Sequence, residues 1–187
     1  NKRLAIIDVE CGQQPRCSEN GNVVVIQNGE IYNYVELIEE LTADGVIFDT
    51  HSDTEAILRL YEKYGLDFVR RLNGMFAIAI YDRRIDELFL IRDRVGVKPL
   101  FVSEHRGCLW FASEFRGFFG IGIPKNVSEV ALDAYLALNY VPPPMTMFEG
   151  MRHVEPGTML WVSRRSTLVN RWWDLSNVAQ NTDSTKE

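Results

Sequence analysis

The sequence predicts an α+β fold, two stacked sheets with helices on the outside. Two observations carry this. Helical patterns over 33–43, 52–64 and 128–138 alternate irregularly with groups of short strand-like runs. Among those runs, Met75–Phe76–Ala77–Ile78–Ala79–Ile80–Tyr81 is apolar at both alternating sets of positions, so both of its faces must be covered. A strand of that kind lies inside a layered fold, not at the rim of a half-wet sheet.

In chain order, Arg3–Val9 reads as the first strand, with Leu4, Ala5, Ile6 and Ile7 apolar and Asp8 closing the run. Gly12, Pro15, Ser18, Asn20 and Gly21 then mark a polar loop. Val23–Val24–Val25–Ile26 is β-branched and reads as a buried strand that stops at Asn28–Gly29. Asn–Gly between apolar runs is a hairpin signal, yet the pattern after it is helical. Leu37, Ile38 and Leu41 share one helix face, and Asn33 and Glu36 are placed as a capping pair. A strand that breaks at Asn–Gly and leads into a helix suits a binding site. A glycine amide and a flexible amide side chain there can address one ligand atom.

Ser52–Asp53–Thr54–Glu55 forms a capping box at the head of the helix over 52–64, and Gly65 stops that helix. Leu66–Leu72 is a short helix, and Asn73–Gly74 turns into the Met75 strand. Leu88–Ile91, Leu100–Val102 and Leu109–Ala112 are three more strands. From Val141 onward, Pro142–Pro143–Pro144 excludes a helix and favours a stiff extended path. Ser176–Glu187 is polar and aperiodic, as a linker or frayed tail is. The domain is therefore drawn over 1–174 and the tail over 175–187.

A chain of 187 residues with 46% hydrophobic composition suffices for one domain with a substantial core. The net charge of −6 gives no basic footprint, so nucleic acid is not an expected partner. No apolar run is long enough to span a bilayer, and Asn1–Lys2–Arg3–Leu4 is not a signal-peptide start. Cys11, Cys17 and Cys108 are odd in number and lack metal-ligand spacing. They read as reduced thiols of a cytoplasmic protein without a metal site.

Several segments, spread from Arg3 to Trp173, resemble the glutaminase domain of asparagine synthetases, which is a class II (N-terminal nucleophile) glutamine amidotransferase. They are Arg3–Ile7, Asn28–Gly29–Glu30–Ile31–Tyr32–Asn33, Ser52–Glu55, Arg92–Leu100 and Phe111–Phe115. Asn–Gly and Ser–Asp–Thr–Glu are shared with glucosamine-phosphate synthases and amidophosphoribosyltransferases, and the fuller set points to the asparagine synthetase branch. The resemblance implies a four-layer αββα sandwich with mainly antiparallel sheets. It implies glutamine as ligand, bound by Arg3, Leu4, Ala5, Ile6, Ile7, Asn28, Gly29, Glu30 and Asp53. Arg3 would take the carboxylate, which a guanidinium fork fits. Asp53 would take the ammonium group, and the Asn28 side chain with the Gly29 amide would donate to the oxyanion. Arg92–Leu100 reads as a solvated turn of structural importance, and Phe111–Phe115 as another structural turn. No cofactor is implied for this domain. ATP and Mg belong to a C-terminal synthetase domain of the same protein, an expected partner beside glutamine, and a homodimer is a further option.

In that family the nucleophile is an N-terminal cysteine, expected several tens of residues before Arg3, whereas residue 1 here is Asn1. Its thiolate attacks the side-chain amide of glutamine, and its own α-amino group serves as base. An α-amino pKa of about 7.7–8.0 suits that task near neutral pH. Ammonia leaves for an ATP-activated aspartate, and water releases glutamate from the thioester. None of Cys11, Cys17 and Cys108 carries a free amine, so each reads as a structural thiol. The chain as it stands is expected not to turn glutamine over. Two other readings stay open: an amidotransferase serving another carboxylate acceptor, and a glutamine-binding or purely structural module without a nucleophile.

Overall fold

The structure is a computed structural model and describes residues 12–177. Cys11 and the strand expected over Arg3–Val9, with five of the candidate site residues, lie outside that range. The elements are β1 (Arg16–Cys17), β2 (Val23–Ile31), α1 (Tyr34–Ala43), α2 (Asp53–Tyr64), β3 (Gly74–Asp82), β4 (Glu87–Arg92) and β5 (Phe101–His105). They continue as β6 (Cys108–Ala112), α3 (Phe115–Gly120), α4 (Glu129–Leu138), β7 (Met151–His153), β8 (Thr158–Val162) and β9 (Thr167–Arg171). Short 3₁₀ helices occupy Gly65–Arg71 and Leu175–Asn177.

Two antiparallel sheets result. One has six strands in the order β1-β2-β3-β4-β8-β9, and the other has three in the order β6-β5-β7. β3 shows why they stack. Phe76, Ile78 and Ile80 point to one face and join Leu37 and Leu41 of α1 with Ile57, Leu60 and Tyr61 of α2. Ala77 and Ala79 point to the other face, where they meet Leu100 and Val102 beside Leu90 and Leu160. The two-residue pleat separates these sets, and alanine at 77 and 79 lets the second sheet come close. β5 repeats the division by turning Phe101 outward onto Phe118 of α3 and Met151. The layers are thus α1 with α2, the large sheet, the small sheet, then α3. This is the αββα sandwich that the resemblance implies. α4 buries only Ala131 and leaves Val130, Tyr135 and Leu136 exposed.

Three local expectations are corrected. β2 does not stop at Asn28–Gly29 but runs on to Ile31, pairing Asn28 with Ala77 and Glu30 with Met75. The strand continues because glycine adopts a φ of 143° there and passes very close to β3. An added Cβ on Gly29 would stand 2.0 Å from the Met75 carbonyl oxygen. Asn33 and Glu36 are not a capping pair, since the Asn33 side chain caps nothing and bonds instead to residues 71 and 73. The Arg92–Leu100 turn is structural, but its first two charges are not solvated. Asp93 is fully buried and accepts from the N–H groups of Phe76 (3.2 Å), Val95 (3.2 Å), Val97 (2.9 Å) and Lys98 (3.0 Å). Arg92 donates to the carbonyls of Lys98, Gly96 and Val154, so backbone dipoles replace water around both charges. The stretch after Pro144, for which only the absence of a helix at the prolines was expected, holds three strands, β7 to β9. Leu175–Asn177, expected in the tail, turns where Asp174 Oδ1 accepts the Ser176 N–H at 2.9 Å.

Candidate functional site

The site is built on the first turn of α2 and the outer edge of β2. Ser52 is the N-cap, and its Oγ accepts the Glu55 N–H at 3.2 Å. Glu55 does not complete a reciprocal box with Ser52. Its fully buried carboxylate accepts from the Asp49 N–H (3.1 Å), the Thr50 N–H (2.8 Å) and the Thr50 hydroxyl (2.6 Å). Arg16 lies 3.0 Å away. Burial pushes the Glu55 carboxyl up, but the hydrogen bonds from Thr50 and Asp49 and the Arg16 charge outweigh it, so the group is held below the ordinary carboxylate value. The loop over 49–52 is thereby tied to the helix head, and Asp53 has little freedom to move. Asp53 is 2% exposed, and its Oδ2 accepts the Ile31 N–H at 3.2 Å.

The hydrogen-bond parity of β2 aims the glycine amide at the same edge. Gly29 pairs with Phe76, whose N–H and C=O are both used by Asp93 on the far side of β3. In an antiparallel ladder such a pair exchanges no bonds. The Gly29 N–H is therefore turned away from β3. Its neighbours of equal parity confirm the direction. The Gln27 N–H goes to Gln14 Oε1 at 2.9 Å, and the Ile31 N–H goes to Asp53. A row of three donors thus lines this edge, and the outer two are about 14 Å apart at about 3.4 Å per residue. Gly29 sits at its centre, about 7 Å along the strand from the amide that Asp53 engages. One end of the row presents a carboxylate, and the middle presents a backbone donor beside the exposed Asn28 amide.

Asn28, Gly29, Glu30 and Asp53 are therefore brought to one corner. Alternation puts Asn28 and Glu30 on the face of β2 shared with Ile26, toward the small sheet. Arg3, Leu4, Ala5, Ile6 and Ile7 lie outside the described residues. Sequence reasoning missed the polar floor of the corner, where Thr54 Oγ1 accepts from Gln14 Nε2 (3.2 Å) and Gln27 Nε2 (3.1 Å). Thr54, one place after Asp53, was the one available signal. Cys17 and Cys108 are both exposed free thiols.

A carboxylate for a cation and amide donors for an oxyanion, on one rigid edge, are the parts needed to grip a small zwitterion that bears a polar carbonyl. A family model described as a glutamine amidotransferase domain matches residues 1–173. Asparagine synthetase [glutamine-hydrolyzing] 1 of Bacillus subtilis (strain 168) is 39% identical over 161 residues, covering 86% of this chain and 26% of its own length. Asparagine synthetase [glutamine-hydrolyzing] 3 of the same organism is 36% identical over 188 residues, covering 98% of this chain and 30% of its own. The chain thus spans less than a third of the length of these curated relatives. Among solved structures, a glutamine phosphoribosylpyrophosphate amidotransferase from B. subtilis superposes with a TM-score of 0.65 at 24% identity, over 86% of this chain and 32% of that one. That likeness is one of fold.

Proposed function

We propose, because this chain belongs to the glutamine amidotransferase domain family, that its β2–α2 corner binds glutamine and that the longer protein carrying it draws ammonia from that glutamine to make asparagine. One observation carries the binding part: the buried Asp53 carboxylate engages the Ile31 N–H on the same edge of β2 as the Gly29 N–H, and those two amides are about 7 Å apart along the strand. Asp53 holds the α-ammonium group, and Arg3 holds the α-carboxylate. The side-chain amide then lies over Gly29 and Asn28.

When a cysteine thiolate attacks that amide, charge gathers on its oxygen. The Gly29 N–H and the Asn28 side chain meet this charge with dipoles already in place. Removing one such donor from a preorganised site costs about 2.7–4 kcal/mol of barrier. The thiol is the N-terminal cysteine that the family resemblance implies, and its amino group carries the proton to the leaving ammonia. Asparagine as product is supported by the names of the two B. subtilis relatives. A synthetase domain that uses ATP and Mg, joined to this one, is the corresponding partner.

Titrating the 15N-labelled chain with L-glutamine tests the binding step. The amide resonances of Gly29 and Ile31 shift together and saturably if the corner is the site. Shifts that spare both amides, or no shifts at millimolar glutamine, overturn it.

A further inference from the structure

We infer that Asn33 is a positioning residue of the glutamine site, acting as a clamp between the end of β2 and the start of β3. Its Nδ2 donates to the Arg71 carbonyl at 3.0 Å, and its Oδ1 accepts the Asn73 N–H at 2.8 Å. One partner is an acceptor and the other a donor, so only this orientation of the amide satisfies both. Beside them the Tyr32 N–H donates to the Asn73 carbonyl at 2.7 Å. Three bonds thus fasten residues 32 and 33 to residues 71 and 73.

The clamp lies next to a tight approach of two backbones. A Cβ on Gly74 would stand 2.3 Å from the Glu30 carbonyl oxygen and 2.9 Å from the Ile31 Cα. Residues 71–74 are further anchored, because Arg94 Nη1 donates to the Leu72 carbonyl at 2.7 Å and its guanidinium lies 5.5 Å over the Trp172 ring. Asn33 therefore holds Asn73, and with it Gly74, beside Glu30 and Ile31. Ile31 is the residue whose N–H fixes Asp53. Through it the clamp sets the distance between the Asp53 carboxylate and the Gly29 donor. As a helix cap Asn33 would have no such reach.

This role rests on the proposal that the corner binds glutamine, and the test separates the two. Asn33→Asp keeps an acceptor for the Asn73 N–H but has no donor for the Arg71 carbonyl. At an N-cap Asp serves as well as Asn, so a cap predicts wild-type behaviour for Asn33→Asp. The clamp predicts that it behaves like Asn33→Ala. Calorimetric titration of the 187-residue chain with L-glutamine, well below its unfolding temperature, reads the difference. Both variants should bind glutamine about tenfold or more weakly, a change of about 1.4 kcal/mol, with unchanged circular dichroism. Wild-type affinity in a folded Asn33→Asp chain overturns the clamp.

If the unmutated chain binds no glutamine, the glutamine reading fails instead. Amide exchange then decides the clamp without any ligand. The Ile31 N–H should exchange faster in both variants, relative to the core amide of Ile78. Equal rates overturn the inference.

Discussion

Gly29→Ala is a sharp test of the claim that two backbones meet at the site. The new Cβ would lie 2.0 Å from the Met75 carbonyl oxygen and 2.7 Å from the Phe76 Cα. Both are main-chain atoms of a central strand, so neither can swing aside as a side-chain end would. Forcing extra volume into a filled space costs about 1–3 kcal/mol. The φ of 143° adds about 1–3 kcal/mol for a residue with a side chain. The sum is about 2–6 kcal/mol, and about 4 kcal/mol at its centre corresponds to a fall of about 8–16 °C in Tm for a chain of this size. Gly107→Ala is the control, since it shares a positive φ of 74° but has nothing within 4 Å of its added Cβ. It should lose only about 1–2 kcal/mol, the cost of the left-handed conformation. Urea unfolding of both variants gives the comparison. If Gly29→Ala loses no more stability than Gly107→Ala, the close approach is not real.

Two further outcomes rest on the same geometry. Glu55→Gln, which breaks a buried and charge-assisted set, should cost about 3–5 kcal/mol. The Glu55 carboxyl titrates below its unfolded value of about 4.3. Its contribution is therefore complete above that value and is lost as the pH falls through the lower folded pKa. Acid unfolding of Glu55→Gln should show a shallower fall in stability over that interval, and an equal slope would contradict the assignment. Asn28→Ala, at an exposed side chain, should leave stability within about 0.5 kcal/mol. In the cysteine-bearing full-length protein it should lower glutaminase kcat by about 10²–10³, and a change confined to KM would place Asn28 on the ground state.

What could be read from the sequence divides by the range of the interactions. The head of α2 was legible because Ser52, Asp53, Thr54 and Glu55 are consecutive and the cap needs nothing beyond them. Met75–Tyr81 was legible because its two apolar faces are written in alternate letters. Asn33 was not, since its partners are 38 and 40 residues away and local spacing suggested a cap. Arg92 and Asp93 looked like surface charges because nothing in their spacing shows that the turn folds back on them, with Val95, Gly96, Val97 and Lys98 replacing most of their water and Phe76 and Val154 the rest. β9 was missed for the opposite reason: all five of its residues are exposed, so it carries no apolar alternation and is defined only by its pairing with β8. The end of β2 was misjudged because Asn–Gly usually breaks a strand. Here the glycine is what allows the strand to pass β3.

The most direct measurement is the dependence of the full-length protein's activity on its nitrogen source when Asp53 is replaced by Asn. The Asn side chain retains an oxygen for the Ile31 N–H, so the corner keeps its shape while losing the charge that meets the ammonium group. Loss of such a charge-assisted contact is worth about 1.5–3 kcal/mol, or about 10- to 150-fold in kcat/KM for glutamine. Free ammonia bypasses this corner, so activity with an ammonium salt should remain that of the unmutated protein. Asparagine formation that falls equally with both nitrogen sources would show that Asp53 serves only to start α2, and that the glutamine site lies elsewhere.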